Sequence, residues 1–443
     1  MASAYLTSSS LLAATHCARR LWLQRHAPES RTDQMEAPKP DVALLARGLF
    51  TGGADGGASQ LETEDALERT RMLLMQGEEL LYDAAFAYNG VLVTVDILSR
   101  RRNRWYASVV RCATSVKPAH MADAALQALV LDGNGIRLSG SQVIYLNKTY
   151  VRRGALDLEQ LFLATPVTKA VRGMLPSIEL RIARMKRLLE ADMPFVAIGA
   201  QCHKPGPCWF HPHCAGMEET TREAEGDAPI EVDRPAVGAF LERLQYPLQF
   251  VDFEAYQPPV PEYEGHWPYR QVPFQYSLHV QHEPGAAVTH RSFLAEASGD
   301  PGRTFLESLL RDLEAEGSVI VFGRSTESTI LAQMGRDHPD LEEAALAVRD
   351  RLVDLAVPFL EKQVLIPSLK GRSSLKAVLP ALLPGQSYEG LAIADGGDAH
   401  RAFSWLRQET DPARMAQIRA DLLAYCALDT WAMVLILERL RSL

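Results

Sequence analysis

The stretch Phe250-Val-Asp-Phe-Glu-Ala-Tyr256 sets two acids, Asp252 and Glu254, inside a run that otherwise reads as a buried β-strand. An unpaired ionised carboxylate in an apolar setting costs several kcal/mol or takes up a proton, so an acid pair embedded this way calls for a cation. Residues i and i+2 of a strand share a face, which brings Asp252 and Glu254 to one spot while Val251 and Phe253 fill the other side. Hard oxygen donors of this kind suit Mg²⁺ or Mn²⁺, ions that serve phosphoryl chemistry. The plain alternative is a strand whose acids face solvent.

A second pair of polar residues weighs against that alternative. Leu422-Leu-Ala-Tyr-Cys-Ala-Leu-Asp-Thr-Trp-Ala-Met433 reads as an apolar helix in which Tyr425 and Asp429, four residues apart, stack on one face. Asp252-x-Glu254, a later acid and Tyr425-x-x-x-Asp429 together resemble the three motifs of the DnaQ-like DEDD 3′–5′ exonucleases, in the variant with Tyr rather than His. The middle motif of that family is typically Asn-x-x-Phe-Asp after a strand. Here an apolar run from Ser318 turns into a helix, and Glu327 stands where the family's Asp falls. The resemblance covers about half the chain. It implies a ribonuclease-H-like domain that hydrolyses a terminal phosphodiester, with Asp252, Glu254, Glu327 and Asp429 around Mg²⁺ or Mn²⁺ and Tyr425 orienting the water.

A chain of 443 residues exceeds what one core usually holds, so two domains are expected. We read residues 1–216 as the first, the acidic stretch 217–234 as a linker and 235–443 as the second. No uninterrupted apolar run is long enough to span a bilayer. Met1 to Cys17 lacks the basic lead and continuous apolar core of a secretory signal. A cytoplasmic location is expected, where thiols stay reduced and the six cysteines point to metal or incidental burial rather than disulfides. The formal charge of −9 argues against a uniformly basic surface, although a local basic track suffices for nucleic acid.

In the first half, Ser8 to Arg25 predicts a helix and Ser59 to Gln76 another. Leu80–Tyr88, Asn89-Gly90 and Val91–Leu98 form a hairpin signal, and strands are expected at Arg104–Arg111 and Gly140–Asn147. This order, with Asp96 on one strand, resembles the PD-(D/E)XK (restriction-endonuclease-like) nuclease core, whose next strand carries Glu-x-Lys. The matching positions here hold Val109 and Arg111, so the resemblance implies a degenerate site. Asp123 and Gln127 on the following helix either contact nucleic acid or, the plainer reading, cap and solvate that helix, and Arg100 to Arg104 is a solvated basic turn or a phosphate contact.

Cys202-His-Lys-Pro-Gly-Pro-Cys-Trp-Phe-His-Pro-His-Cys214 crowds three thiols into a Pro-rich loop, which in a reducing compartment calls for a soft metal. With Cys17 as the fourth ligand, Cys202, Cys208 and Cys214 resemble the iron–sulfur PD-(D/E)XK nucleases of CRISPR adaptation and of the AddB helicase-nuclease, which implies a [4Fe-4S] cluster. Zinc is the alternative, with His203, His211 or His213 completing the site. Cys112 and Cys426 read as small buried residues.

In the second half, strands are expected at Phe274–Val280 and Arg291–Leu294 and a helix at Pro301–Glu316. Tyr256 to Val272, with four prolines, reads as an irregular rim whose Tyr256, Tyr263, Trp267 and Tyr269 stack on bases or pack locally. Asp354 reads as satisfying backbone groups. Lys370, Arg372 and Lys376 enter a helix as a candidate phosphate clamp or a solvated basic turn, with Arg324 a further candidate nucleic-acid contact.

The expectation is thus an α/β chain of two domains, PD-(D/E)XK-like followed by ribonuclease-H-like. It is similar to an uncharacterised bacterial family that fuses these modules. The implied activity is a metal-dependent 3′–5′ exonuclease on nucleic acid, DNA with a free 3′ end, with no membrane partner. The alternative is a nucleic-acid-binding scaffold whose nuclease centres have both decayed.

Overall fold

A computed structural model describes residues 5–31, 41–204, 208–219, 229–369, 371–393 and 395–443. The chain is mixed α/β and divides into two compact units. One comprises residues 1–34, 39–223 and 258–270, the other 35–38, 224–257 and 271–443.

The first unit is built on six strands in chain order: β1 (Ala54–Asp55), β2 (Leu80–Tyr88), β3 (Val91–Arg101), β4 (Arg104–Arg111), β5 (Leu138–Leu146) and β6 (Phe162–Pro166). β2, β3 and β4 form an antiparallel meander, β4 and β5 run parallel, and β6 returns antiparallel to β5. Asn89 and Gly90 both take positive φ, the geometry of a two-residue hairpin turn that follows strand twist. The sheet is packed on both faces, with the alternation of β2 broken at Asp83, whose φ is positive. Val93, Val95, Val109 and Val143 meet the helices Pro118–Gly133 and Thr168–Glu190, while Tyr82, Ile97, Val110 and Ile144 bury against Val42, Ala46 and Val260.

The helix expected over Ser8–Arg25 is two helices, Ser8–His16 and Ala18–His26, interrupted at Cys17, whose backbone is extended. Neither Gly nor Pro marks the break. The linker expected at 217–234 is partly structured: a helix runs His211–Glu219 and a short strand β7 spans Glu231–Val232, while 220–228 lie outside the described residues.

The second unit carries β8 (Leu248–Tyr256), β9 (Val272–Gln281), β10 (Thr289–Leu294), β11 (Val319–Val321) and β12 (Leu352–Asp354) in the spatial order β10-β9-β8-β11-β12. The first three are antiparallel, and β8, β11 and β12 run parallel. β7 pairs with β13 (Val364–Leu365) in a separate ribbon. β8 is central, so both its faces are covered. Val251 and Phe253 pack with Phe305, Ile330 and Met334 of the helices Gly302–Asp312 and Ser325–Asp337. Leu248 and Phe250 pack with Met433, Ile436 and Leu437 of the helix Pro412–Ser442.

That last helix is long and apolar enough to cross a membrane by length and composition, with Asp429 interrupting its apolar run; 56% of its most apolar window is buried in the fold. Its apolar residues serve the core beside β8.

Candidate metal centre

Strand alternation carries Asp252 and Glu254 to the face of β8 that Leu248 and Phe250 present to the helix Pro412–Ser442. On that helix the four-residue spacing stacks Tyr425 over Asp429. Asp252, Glu254 and Asp429 thereby meet, each offering one carboxylate oxygen within 4.8 Å of the others. Glu254 and Asp429 are buried and Asp252 partly so. A shift in the β8–β9 register falls between Glu254 and Ala255, so the ladder is interrupted where the strand leaves the site.

Like charges this close repel by about 3 kcal/mol per pair at an effective dielectric near 20. Burial, with repulsion from neighbouring acids, raises the pKa of Asp252 well above the carboxylate range and that of Glu254 to about 8. Asp429 is raised too by burial, against the opposing pull of Tyr388, Lys376 and Tyr425. Tyr425 is pushed upward by burial and by the charges of Asp429, Glu254 and Asp252, so its phenol stays protonated and acts as a donor.

Glu327 sits in the first turn of the helix Ser325–Asp337, buried, with its charge felt at both Asp252 and Glu254. It lies outside the trio. Burial lifts its pKa to about 7, and its Oε2 has no hydrogen-bond partner among the described residues. An orphaned buried carboxylate oxygen beside three crowded acids is the donor set a hard cation completes.

Other candidates fall less close. Asp354 accepts backbone hydrogens from Gly323, Arg324 and Ala356 and so satisfies the loop after β11. Arg324 is exposed and donates to the Arg349 carbonyl. Arg372 donates to the Leu369 carbonyl. Lys370 lies outside the described residues. Lys376 reaches the centre itself, its Nζ donating to Tyr425 Oη at 2.7 Å. Tyr256 is not on a rim: it is buried against Phe274, Phe403 and His400 because β8 carries it into the core.

Three neighbours carried no sequence signal. Tyr388 donates to Asp429 Oδ1 at 2.6 Å. Cys426 lies 3.8 Å from Asp252 Oδ2, and a Cβ on Gly396 would stand 3.6 Å from Glu254 Oε2. Tyr388 comes from irregular chain, where no periodicity reports a facing side, and Gly396 opens the helix Gly396–Leu406 without a side chain to mark one.

In the first unit, Asp96 accepts from the Val110 backbone at 2.8 Å and from the Arg111 guanidinium at 3.1 Å. Arg111 also pairs with Asp123, which takes the Ser8 hydroxyl as well. Asp123 is therefore an ion-pair partner rather than a cap or a solvated residue. Val109 is buried in the core. One guanidinium thus bridges two carboxylates. Arg111→Met is expected to cost about 3 kcal/mol by leaving two partly buried acids unpaired, and Asp96→Asn in the same chain should recover part of it. Urea unfolding of the single and double variants measures this.

Cys17, Cys202, Cys208 and Cys214 line one small cavity with Arg19, Arg20, His16 and His211. The helix break delivers Cys17, a 3₁₀ turn ends at Cys202, and Cys208 N–H bonds the Cys202 carbonyl at 2.9 Å. Burial raises the Cys214 thiol while a hydrogen bond from Arg19 opposes it. The thiols share the cavity with two guanidinium groups, but among the described residues only the acidic trio brings three ligand atoms within 4.8 Å of one another. Of His203, His211 and His213, His211 lies in that lining, with the ring centre of His203 4.8 Å from its own. Cys426 is buried, but Cys112 is exposed at the end of β4, its sulfur 3.2 Å from Tyr269 Oη.

Residues 249–374 are similar to a family described as a domain of unknown function (DUF2779). The matched segment holds Asp252, Glu254 and Glu327 and ends before Lys376, Tyr388, Tyr425 and Asp429. No curated protein matches the chain significantly.

Proposed function

We propose that the second unit is a metal-dependent 3′–5′ exonuclease of ribonuclease-H-like fold, similar to the DnaQ-like enzymes with Tyr in the last motif. The observation that carries this reading is the meeting of Asp252, Glu254 and Asp429, from a strand and a distant helix, within 4.8 Å in a partly enclosed setting. Three antiparallel strands followed by two parallel ones, with the acids on the central strand, support the fold.

Asp252, Glu254 and Asp429 would hold Mg²⁺ or Mn²⁺, with Glu327 as the fourth acid. Such ions supply a Lewis acid that generates the nucleophile and stabilises the leaving oxygen. Tyr425, protonated, orients the attacking water by accepting a hydrogen bond from it rather than by removing its proton. Lys376, Arg324 and Arg372 are the cations proposed to meet the substrate's phosphates.

The first unit, in this reading, is a restriction-endonuclease-like module that grips nucleic acid without cutting it, because Arg111 already spans Asp96 and Asp123. Its four cysteines would carry a [4Fe-4S] cluster, or zinc with His211, in a cytoplasmic protein whose thiols stay reduced.

End-labelled single- and double-stranded DNA and RNA, incubated with Mg²⁺, Mn²⁺ or EDTA, test the proposal. Stepwise shortening from the 3′ end with metal and none with EDTA is the expected result. Binding without shortening under every condition favours a decayed scaffold instead.

A further inference from the structure

The acids of the centre are held by two residues that neither the paired-acid motifs nor the family match contains as a pair. Tyr388 Oη donates to Asp429 Oδ1 at 2.6 Å, and Tyr425 bonds the same carboxylate. Lys376 Nζ is 2.7 Å from Tyr425 Oη, and an ammonium group can only donate, so that phenol oxygen accepts. The phenol's own hydrogen is then directed away from Lys376 and towards Asp429. The ammonium also stands 4.5 Å from the Tyr425 ring centre and 5.3 Å from that of Tyr388, bridging the two phenols.

We propose that Tyr388 and Lys376 are positioning residues of the metal centre, Tyr388 fixing the rotamer of Asp429 and Lys376 fixing the hydroxyl of Tyr425. This inference rests on the hydrolase reading and adds to it which groups set the aim of its ligand and its water-orienting phenol. A carboxylate offers about four lone-pair sites, so two phenolic donors leave room for a cation on Asp429 while ending its rotation. Tyr388 is itself held, because its ring packs with the core formed by Val378, Leu379, Leu382 and Leu437. Lys376 is held from the other side, on the helix Leu375–Leu382.

The two residues also have opposite electrostatic signs for a divalent cation. Removing the Tyr388 hydroxyl frees the ligand to turn and weakens binding. Removing the Lys376 charge takes a cation away from Glu254 and Asp429, on which it acts, and leaves binding equal or tighter. A merely structural role for either residue predicts no such split.

The test measures Mn²⁺ binding to the full chain by electron paramagnetic resonance, alongside 3′-end digestion as a function of Mn²⁺ concentration. Tyr388→Phe is expected to bind Mn²⁺ about tenfold more weakly, with digestion recovering as Mn²⁺ is raised. Lys376→Met is expected to bind Mn²⁺ at least as tightly as the parent and to digest about tenfold more slowly at saturating metal. Unchanged far-ultraviolet circular dichroism of both variants in EDTA separates these effects from misfolding. If the parent binds Mn²⁺ and both variants match it in affinity and rate, the inference is overturned while the hydrolase reading stands. A parent that binds no Mn²⁺ overturns both.

Discussion

Asp252→Asn is expected to lower 3′-end digestion by about 10³-fold or more and at the same time to raise the melting temperature of the metal-free protein. The first effect follows from losing a ligand whose charge stabilisation is worth several kcal/mol in the transition state, each 1.36 kcal/mol being a factor of ten. The second follows from the crowding of acids. Asp252 is opposed by burial and by the charges of Asp429, Glu254 and Glu327, and an amide of the same shape removes that repulsion. The gain depends on pH with a definite sign. Glu254 keeps its proton to about pH 8 and Glu327 to about pH 7 in the fold, whereas a carboxyl in the unfolded chain releases its proton near 4. Between roughly pH 4 and pH 8 the native state therefore binds more protons, and the metal-free protein loses stability as pH rises through that window. Asp252→Asn should flatten this slope, so its advantage in EDTA is larger at pH 8 than at pH 5. Mn²⁺ at pH 8 should restore the parent and do less for the variant, since metal and protons compete for the same oxygens. Calorimetric melts in EDTA and in Mn²⁺ at the two pH values read all of this. A variant that melts below its parent in EDTA at pH 8 would mean that Asp252 is held by favourable partners, and the metal-centre reading would fail.

What the sequence made legible follows from periodicity. Asp252 and Glu254 share a face because strands repeat every two residues, and Tyr425 and Asp429 because helices bring i and i+4 together; both pairs lie where those rules put them. Features without a period were hidden. The Cys17 break falls in a sequence with neither Gly nor Pro, so propensity alone runs one helix through it. Tyr388 lies in irregular chain after Pro384 and Gly385, where spacing says nothing of direction. The pairing of Asp123 is hidden too, because its partner Arg111 comes from another element and Ser8 from the far end of the unit. Tyr256 is hidden for a different reason: the prolines beyond it obscure where β8 ends, so base stacking and local packing look alike in the sequence.

Cys208→Ala is expected to unfold or severely destabilise the first unit, whereas Cys112→Ala should leave it unchanged. Cys208 is the buried member of the four thiols that share a cavity, and Cys112 is exposed elsewhere in the same unit. A metal held by Cys17 and Cys202 closes a loop over most of the unit's length. By loop-closure entropy such a cross-link stabilises the fold by about 5 kcal/mol, and structural metal sites contribute more through the binding itself. Losing one thiolate of four forfeits much of that. Protein purified without oxygen should show, for a [4Fe-4S] cluster, absorbance at about 400 nm that disappears in Cys208→Ala and persists in Cys112→Ala. Colourless protein carrying one zinc per chain would instead select the zinc site. There the thiolates must close to a tetrahedron with Zn–S near about 2.3 Å, and His211 becomes the next residue to change. If Cys208→Ala and Cys112→Ala melt alike and neither parent nor variant holds metal, the cavity is only packing. The first unit then stands without a cross-link, on the valine-rich face of its sheet and the helices against it.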